Sequence, residues 1–216
     1  MVTPTNERWW QESATKAEAE GYQVQRDGSL LMQPDDNPDP ARRNPAGIFV
    51  RNGGLIAMRR VLLARDNMLY RFAARKYRGQ GPGALMPLLN SPWWMEEDRM
   101  VLLLTRAREA AVPLVEMARR QLALPADWTD CDILVRVRPK DGVLLAAHAG
   151  PGRTAESGGE RRIIAREAPH LFMDQLYIPG LGRLSALGGA GPANAETWFD
   201  ATTVAAFDPM ARGLNP

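Results

Sequence analysis

The chain has 216 residues, 45% of them hydrophobic, and a formal net charge of +2. One cysteine, Cys131, and two histidines, His148 and His170, exclude a disulfide framework and argue against a protein-only metal site. No run approaches the roughly 20 apolar residues that span a bilayer. Met1 to Arg8 lacks the basic start and apolar stretch of a secretory signal. The expectation is a cytoplasmic protein with no membrane partner, with export open only to a route that needs no cleavable signal.

Charge is polarised along the chain. The first 40 residues are rich in Asp and Glu, whereas residues 41–78 carry Arg42, Arg43, Arg51, Arg59, Arg60, Arg65, Arg71, Arg75, Lys76 and Arg78 against the single acid Asp66. Such a basic segment suits phosphates of a nucleotide or nucleic acid, and equally a solvated face neutralised by the acidic N-terminal segment.

In chain order, Asn6 is placed to cap a short helix over residues 6–20 that begins with Trp9 and Trp10. Asp27-Gly28, Asn52-Gly53 and Asp141-Gly142 stand between apolar or alternating runs, the signature of tight antiparallel hairpins. Pro34 to Pro45 reads as a loop. Residues 55–65 suit either strand or helix, and Met68 to Ala73 is extended. From Glu96 to Leu124 the apolar spacing is helical, with Pro113 opening a second helix. Ile133 to Val137 is expected to pair with Val143 to Ala147 through Asp141-Gly142. Residues 150–160 form a Gly-rich loop, followed by strands at 161–166 and 171–178. These elements predict an α+β fold, with an antiparallel β-rich core of one or two small sheets and a central pair of helices. Three parts are expected: a polar N-terminal appendage (1–45), the main domain (46–188) and a Gly/Ala/Pro-rich C-terminal tail (189–216).

Nucleophile elbows, phosphate loops, zinc helices and C-x-x-C pairs are all missing. What remains is an ordered set of segments: Leu69-Tyr70-Arg71, then Asn90-Ser91-Pro92-Trp93-Trp94, and finally Gln175-Leu176-Tyr177-Ile178-Pro179-Gly180 after the Gly-rich loop. In that order and texture the chain resembles the arginine–serine–glutamate class of bacterial mono-ADP-ribosyltransferases, over roughly residues 68–181.

The resemblance implies an ADP-ribosyltransferase-like fold and NAD as substrate. It places Arg71, preceded by Tyr70, on the NAD phosphates and Ser91 at the nicotinamide pocket. Trp93 and Trp94 are candidates to stack on nicotinamide or a base, and adjacent aromatics also suit a core plug. Gln175 would orient ribose or the acceptor. The position of the family's catalytic glutamate is held by Tyr177, and a phenol cannot stabilise the oxocarbenium-like state as a carboxylate does. Glu160, Glu167 and Asp174 are the acids available to replace it.

The implied activity is transfer of ADP-ribose to a protein or nucleic acid acceptor, in a toxin or effector with an acidic partner or immunity protein. Two rival readings stand beside it. One is a non-catalytic module that binds nucleic acid or an acidic protein through residues 41–78. The other is an assembly protein of a phage or secretion machine. His170 and Cys131 lack recognisable partners and read as structural.

Overall fold

A computed structural model describes residues 2–24, 29–30, 32–33, 43–44, 47–49, 51–81, 83–126, 128–153, 155–157, 160–162, 173–182, 195–211 and 214. Strands β1 (Met32–Gln33), β2 (Arg43–Asn44) and β3 (Gly47–Phe49) form a small sheet in the order β1-β3-β2. They are followed by β4 (Arg59–Leu63), β5 (Leu69–Ala73), β6 (Trp93–Glu96), β7 (Ile133–Val137) and β8 (Leu145–Pro151). Next come the hairpin β9 (Ala155–Ser157) and β10 (Glu160–Arg162), then β11 (Asp174–Tyr177) and β12 (Ala205–Phe207).

A seven-stranded antiparallel sheet, ordered β12-β7-β5-β6-β11-β8-β4, is the frame of an α+β fold. Five helices are described: α1 (Glu7–Trp10), α2 (Ser13–Ala19), α3 (Glu97–Glu109), α4 (Leu114–Gln121) and α5 (Ala195–Trp198).

The period of two along each strand sorts the apolar residues onto two faces. Leu63, Leu69, Trp94, Val135, Ala147 and Leu176 share one face and one core, which Leu88, Leu89, Trp198 and Phe199 close over. On the other face Tyr70, Phe72, Met95 and Leu134 pack under Met100, Leu103, Leu114 and Met117 of α3 and α4. These helices form as the sequence spacing predicts. Pro113 occupies the N-cap position of α4 at φ −56°, where a missing N–H does no harm.

Within the span 1–45 expected as a polar appendage, residues 2–24 pack on the main sheet. Asn6 is fully buried and uses its side chain on the sheet rather than as a helix cap. Its Nδ2 donates to the carbonyls of Ala146 (2.8 Å) and Pro179 (2.9 Å), and its Oδ1 accepts from the Ala146 N–H. Trp9 packs edge-on against Trp198. Trp10 of α1 stacks on His148 of β8. The C-terminal tail is likewise ordered over 195–211, with Trp198 and Phe199 in the core and β12 on the sheet edge.

Two expected hairpins are replaced by longer connections. Asp141-Gly142 does turn, with Gly142 at φ +74°. The runs on either side of it separate, however. β7 pairs with β5 and β12, and β8 pairs with β11 and β4. The Lys140 N–H bonds the Trp198 carbonyl, so the segment before the turn is already committed to C-terminal partners. Asn52-Gly53 does not join paired strands either. Arg51 bridges to Tyr22 and Leu55 to Gly152, while β4 finds its partner in β8. Asp27-Gly28 lies outside the described residues, between the bridged Val24 and Leu30.

Candidate functional site

The β5–β6 ladder holds for only two pairs, Leu69 with Glu96 and Tyr70 with Met95. Beyond these, Arg71 and Phe72 pair with Val135 and Leu134 of β7, while Trp94 and Trp93 pair with Leu176 and Tyr177 of β11. The two strands diverge, and a cavity of about 210 Å³ lies where they part. An apolar void of about 150 Å³ already holds a benzene ring, so this one accepts a ring-sized group.

Arg71, Ser91, Trp93, Trp94 and Gln175, all named from the sequence, line the cavity. The Arg71 guanidinium lies 5.6 Å from the Trp94 ring centroid, and its Nη1 donates to the Leu88 carbonyl at 2.6 Å. Its Nε is buried without a hydrogen bond to any described residue. Burial lowers the Arg71 pKa from 12.5 to about 10, which leaves it charged at neutral pH.

Trp94 is fixed by its indole N–H on the Ser91 carbonyl at 2.7 Å, which ties the loop before β6 to the cavity wall. Gln175 donates to the Leu122 carbonyl at 3.2 Å and so presents its amide at the end of α4.

The sequence reading missed Gly53, Gly54, Trp128, Thr129 and Arg153, which complete the polar and aromatic lining with the 122–124 segment. Asn52-Gly53 was visible as a glycine turn, but not its destination. Gly54 is held at φ +80° against the end of α2, where a Cβ would lie 2.2 Å from the Gly21 nitrogen. Trp128 keeps 45% exposure at the cavity. Two arginines and no carboxylate stand among the described lining residues. The site therefore favours a ligand with a flat ring and an anionic group.

Tyr70 and Tyr177 lie elsewhere. Tyr70 is buried under the helices, and burial, with Glu97 near, raises its phenol pKa. Tyr177 is fully buried, packs edge-on against Trp93 and donates its hydroxyl to Glu18. Its pKa is driven well above 10, first by burial and then by Glu18, so it holds its proton and cannot serve as a base. Among the other acids, Asp174 pairs with Arg59 at 2.9 Å and Arg99 at 3.6 Å. The β10 backbone carries Glu160, whose side chain lies outside the described residues, as do Glu167 and His170. The β9–β10 hairpin borders the cavity, because Ala155 packs on the lining residue Ala123.

Comparison of the chain with protein-family models, curated proteins and solved structures gives no match.

Much of the basic segment is internally neutralised. Arg60 pairs with Glu7, Arg65 with Asp141 and Lys76 with Asp130, while the Arg75 backbone N–H donates to Asp132. Its acids come from both the N-terminal segment and the 130–141 region. The described residues contain no group of three or more acids, His or Cys placed to hold a metal. No helix among them is long and apolar enough to cross a membrane.

Proposed function

We propose that the cavity between β5 and β6 binds NAD, in an ADP-ribosyltransferase-like domain, with Arg71 as the anchor for a phosphate. The observation that carries this reading is a half-buried guanidinium, its Nε buried, facing a ring-sized cavity with a backbone carbonyl as its described hydrogen-bond acceptor. A phosphate oxygen would supply the missing charge and accept from a donor that folding leaves unused. Trp93, Leu122 and Leu124 offer apolar walls to a ring such as nicotinamide, and the Gln175 amide and Ser91 hydroxyl offer polar contacts. Most of the dinucleotide would lie outside a cavity this small, along the side marked by Trp128 and Arg153.

Among the described residues the cavity wall brings no carboxylate, so we look for the acid of the chemical step at its border. Glu160 is the residue we assign, as the acid that the resemblance offers on the β9–β10 hairpin, where it stands opposite Ser157, two residues along β9 from the cavity-bordering Ala155. In the proposed reaction the bond from ribose C1′ to the nicotinamide nitrogen breaks and the bonding pair leaves with neutral nicotinamide. An acceptor nucleophile bonds to C1′ and gives up its proton to solvent, while the Glu160 carboxylate stabilises the developing positive charge. The basic-face rival is disfavoured by the ion pairs that neutralise Arg60, Arg65 and Lys76.

The test is calorimetric NAD titration together with nicotinamide release in the presence of cell lysate as acceptor source. Wild type should bind and release. Glu160→Gln should keep its NAD affinity within about threefold, less than one hydrogen bond is worth, and lose release. Absence of NAD binding by the folded wild-type protein would sink the reading, and release that survives in Glu160→Gln would remove Glu160 from it.

A further inference from the structure

Tyr177 was named from the sequence as standing where a catalytic acid was expected, and the structure places it behind the cavity wall. Resting on the cavity as the ligand site proposed above, we infer that Tyr177 and Glu18 are positioning residues that hold the Trp93 wall from behind, on the same face of the sheet.

Tyr177 and Trp93 are direct partners across the β11–β6 ladder. Their rings meet edge to face at 77°, with centroids 5.1 Å apart, the geometry in which the electropositive edge of one ring meets the face of the other. Trp93 is half-buried and lines the cavity, whereas Tyr177 is fully buried. The phenol is fixed in turn by its hydrogen bond to Glu18 on α2. The chain of contact therefore runs from α2 through Glu18 and Tyr177 to Trp93 and the ligand space.

Three observations distinguish this arrangement from ordinary core packing. First, a phenylalanine would fill the same ring space, so what the phenol adds is its hydrogen bond to Glu18, which ties the ring to α2. Second, burial and Glu18 both hold the phenol protonated, so the donor is always present. Third, α2 supports the cavity at a second point. Ala19, next to Glu18, packs with Leu55 and Tyr177, and its carbonyl accepts the Leu55 N–H. Gly21 touches Gly54, itself part of the cavity lining, closely enough that a Cβ on Gly21 would lie 2.2 Å from the Gly53 carbonyl oxygen. The same helix thus backs two separate walls. An aromatic wall free to rotate would have to be ordered by each ligand, and one held in place beforehand spares that loss of entropy.

The experiment labels the full chain with 5-fluorotryptophan, which reports on six tryptophans. The Trp93 resonance is identified by its absence in Trp93→Phe. Fluorine spectra and NAD titrations then compare wild type with Glu18→Leu, Glu18→Gln and Tyr177→Phe. Glu18→Leu and Tyr177→Phe should each move or broaden the Trp93 resonance, leave that of Trp128 in place and weaken NAD about tenfold. Glu18→Gln, whose amide oxygen still accepts the phenol proton, should restore both signals toward wild type. An unmoved Trp93 resonance in Tyr177→Phe overturns the inference. Should Glu18→Leu fail to fold, Tyr177→Phe, which lacks a single oxygen, still decides it. Failure of the wild type to bind NAD would remove the dinucleotide reading alone, since the Trp93 resonance reports on positioning without any ligand.

Discussion

Arg71 and His148 stand on opposite faces of the same sheet, each with a buried nitrogen that has no hydrogen-bond partner among the described residues, and burial affects them differently. His148 is 6% exposed, stacked on Trp10 at 4.1 Å between ring centroids. Burial, then Lys16 and Arg60, lower its pKa to about 4, so it sheds its proton at neutral pH and becomes an uncharged part of the core. Arg71 undergoes a shift to about 10 and still keeps its charge, because its ordinary value is so high. Histidine can solve its burial alone. Arginine cannot, and a guanidinium beside a cavity whose described lining holds no acid is a better mark of a ligand than a perturbed histidine under a helix.

The largest effect expected from breaking this contrast is at Arg71. Arg71→Met keeps an apolar stem beside Trp94 and removes the charge. NAD affinity should fall by two to three orders of magnitude in a calorimetric titration, as when one partner of a buried charge pair is lost. The melting temperature should hold or rise, since an unpaired buried charge is itself destabilising. A fall of more than about 5 °C, on the order of 1–2 kcal/mol for a chain of this size, would make Arg71 a structural residue instead.

His148 should give the next largest effect, on stability rather than binding. Its folded pKa is lowered, so protonation favours the unfolded chain. The contribution of the neutral ring is fully present above about pH 6.5 and is lost as pH falls from there toward 4. The loss should be about 2.5 kcal/mol between the two pH values, measured by urea denaturation at pH 7.5 and pH 4.5. His148→Phe keeps the stack on Trp10 and should flatten that part of the pH dependence. An unchanged pH profile would contradict the assignment.

A smaller effect is expected at Trp10, which covers the imidazole. Trp10→Ala should admit water, raise the His148 pKa toward 6.5 in an NMR titration and reduce the acid-induced loss by about 1 kcal/mol. If the pKa stays near 4, then Lys16 and Arg60, rather than the covering ring, hold it down.

Much of the site was legible in the sequence because its residues are chemically distinctive within short segments. Arg71 follows an aromatic in an extended run, Ser91 stands just before two tryptophans, and Gln175 lies in an extended run; all reach one cavity. Their neighbours Tyr70 and Tyr177 do not, for an elementary reason. A strand alternates its faces, so Tyr70 beside Arg71 has to point under α3, whereas Tyr177, on the face of Gln175, is one step too far along and falls beneath α2. Arg153 and Trp128 were not legible, because neither lies in a patterned run and both reach the cavity only through loops.

By itself the sequence determined the local structure: α3 and α4 from their apolar spacing and Pro113, the extended runs of β5, β7, β8 and β11, and the turn at Asp141-Gly142. These depend on interactions within a few residues. The tertiary structure alone decided which strands became neighbours, sending β7 and β8 to opposite halves of the sheet although a tight turn lies between them. It also decided that Asn6 bonds β8 instead of capping its helix, and that β5 and β6 part at Arg71. Partner choice is settled by which faces can be buried together over the whole chain, and neither turn chemistry nor periodicity carries that information.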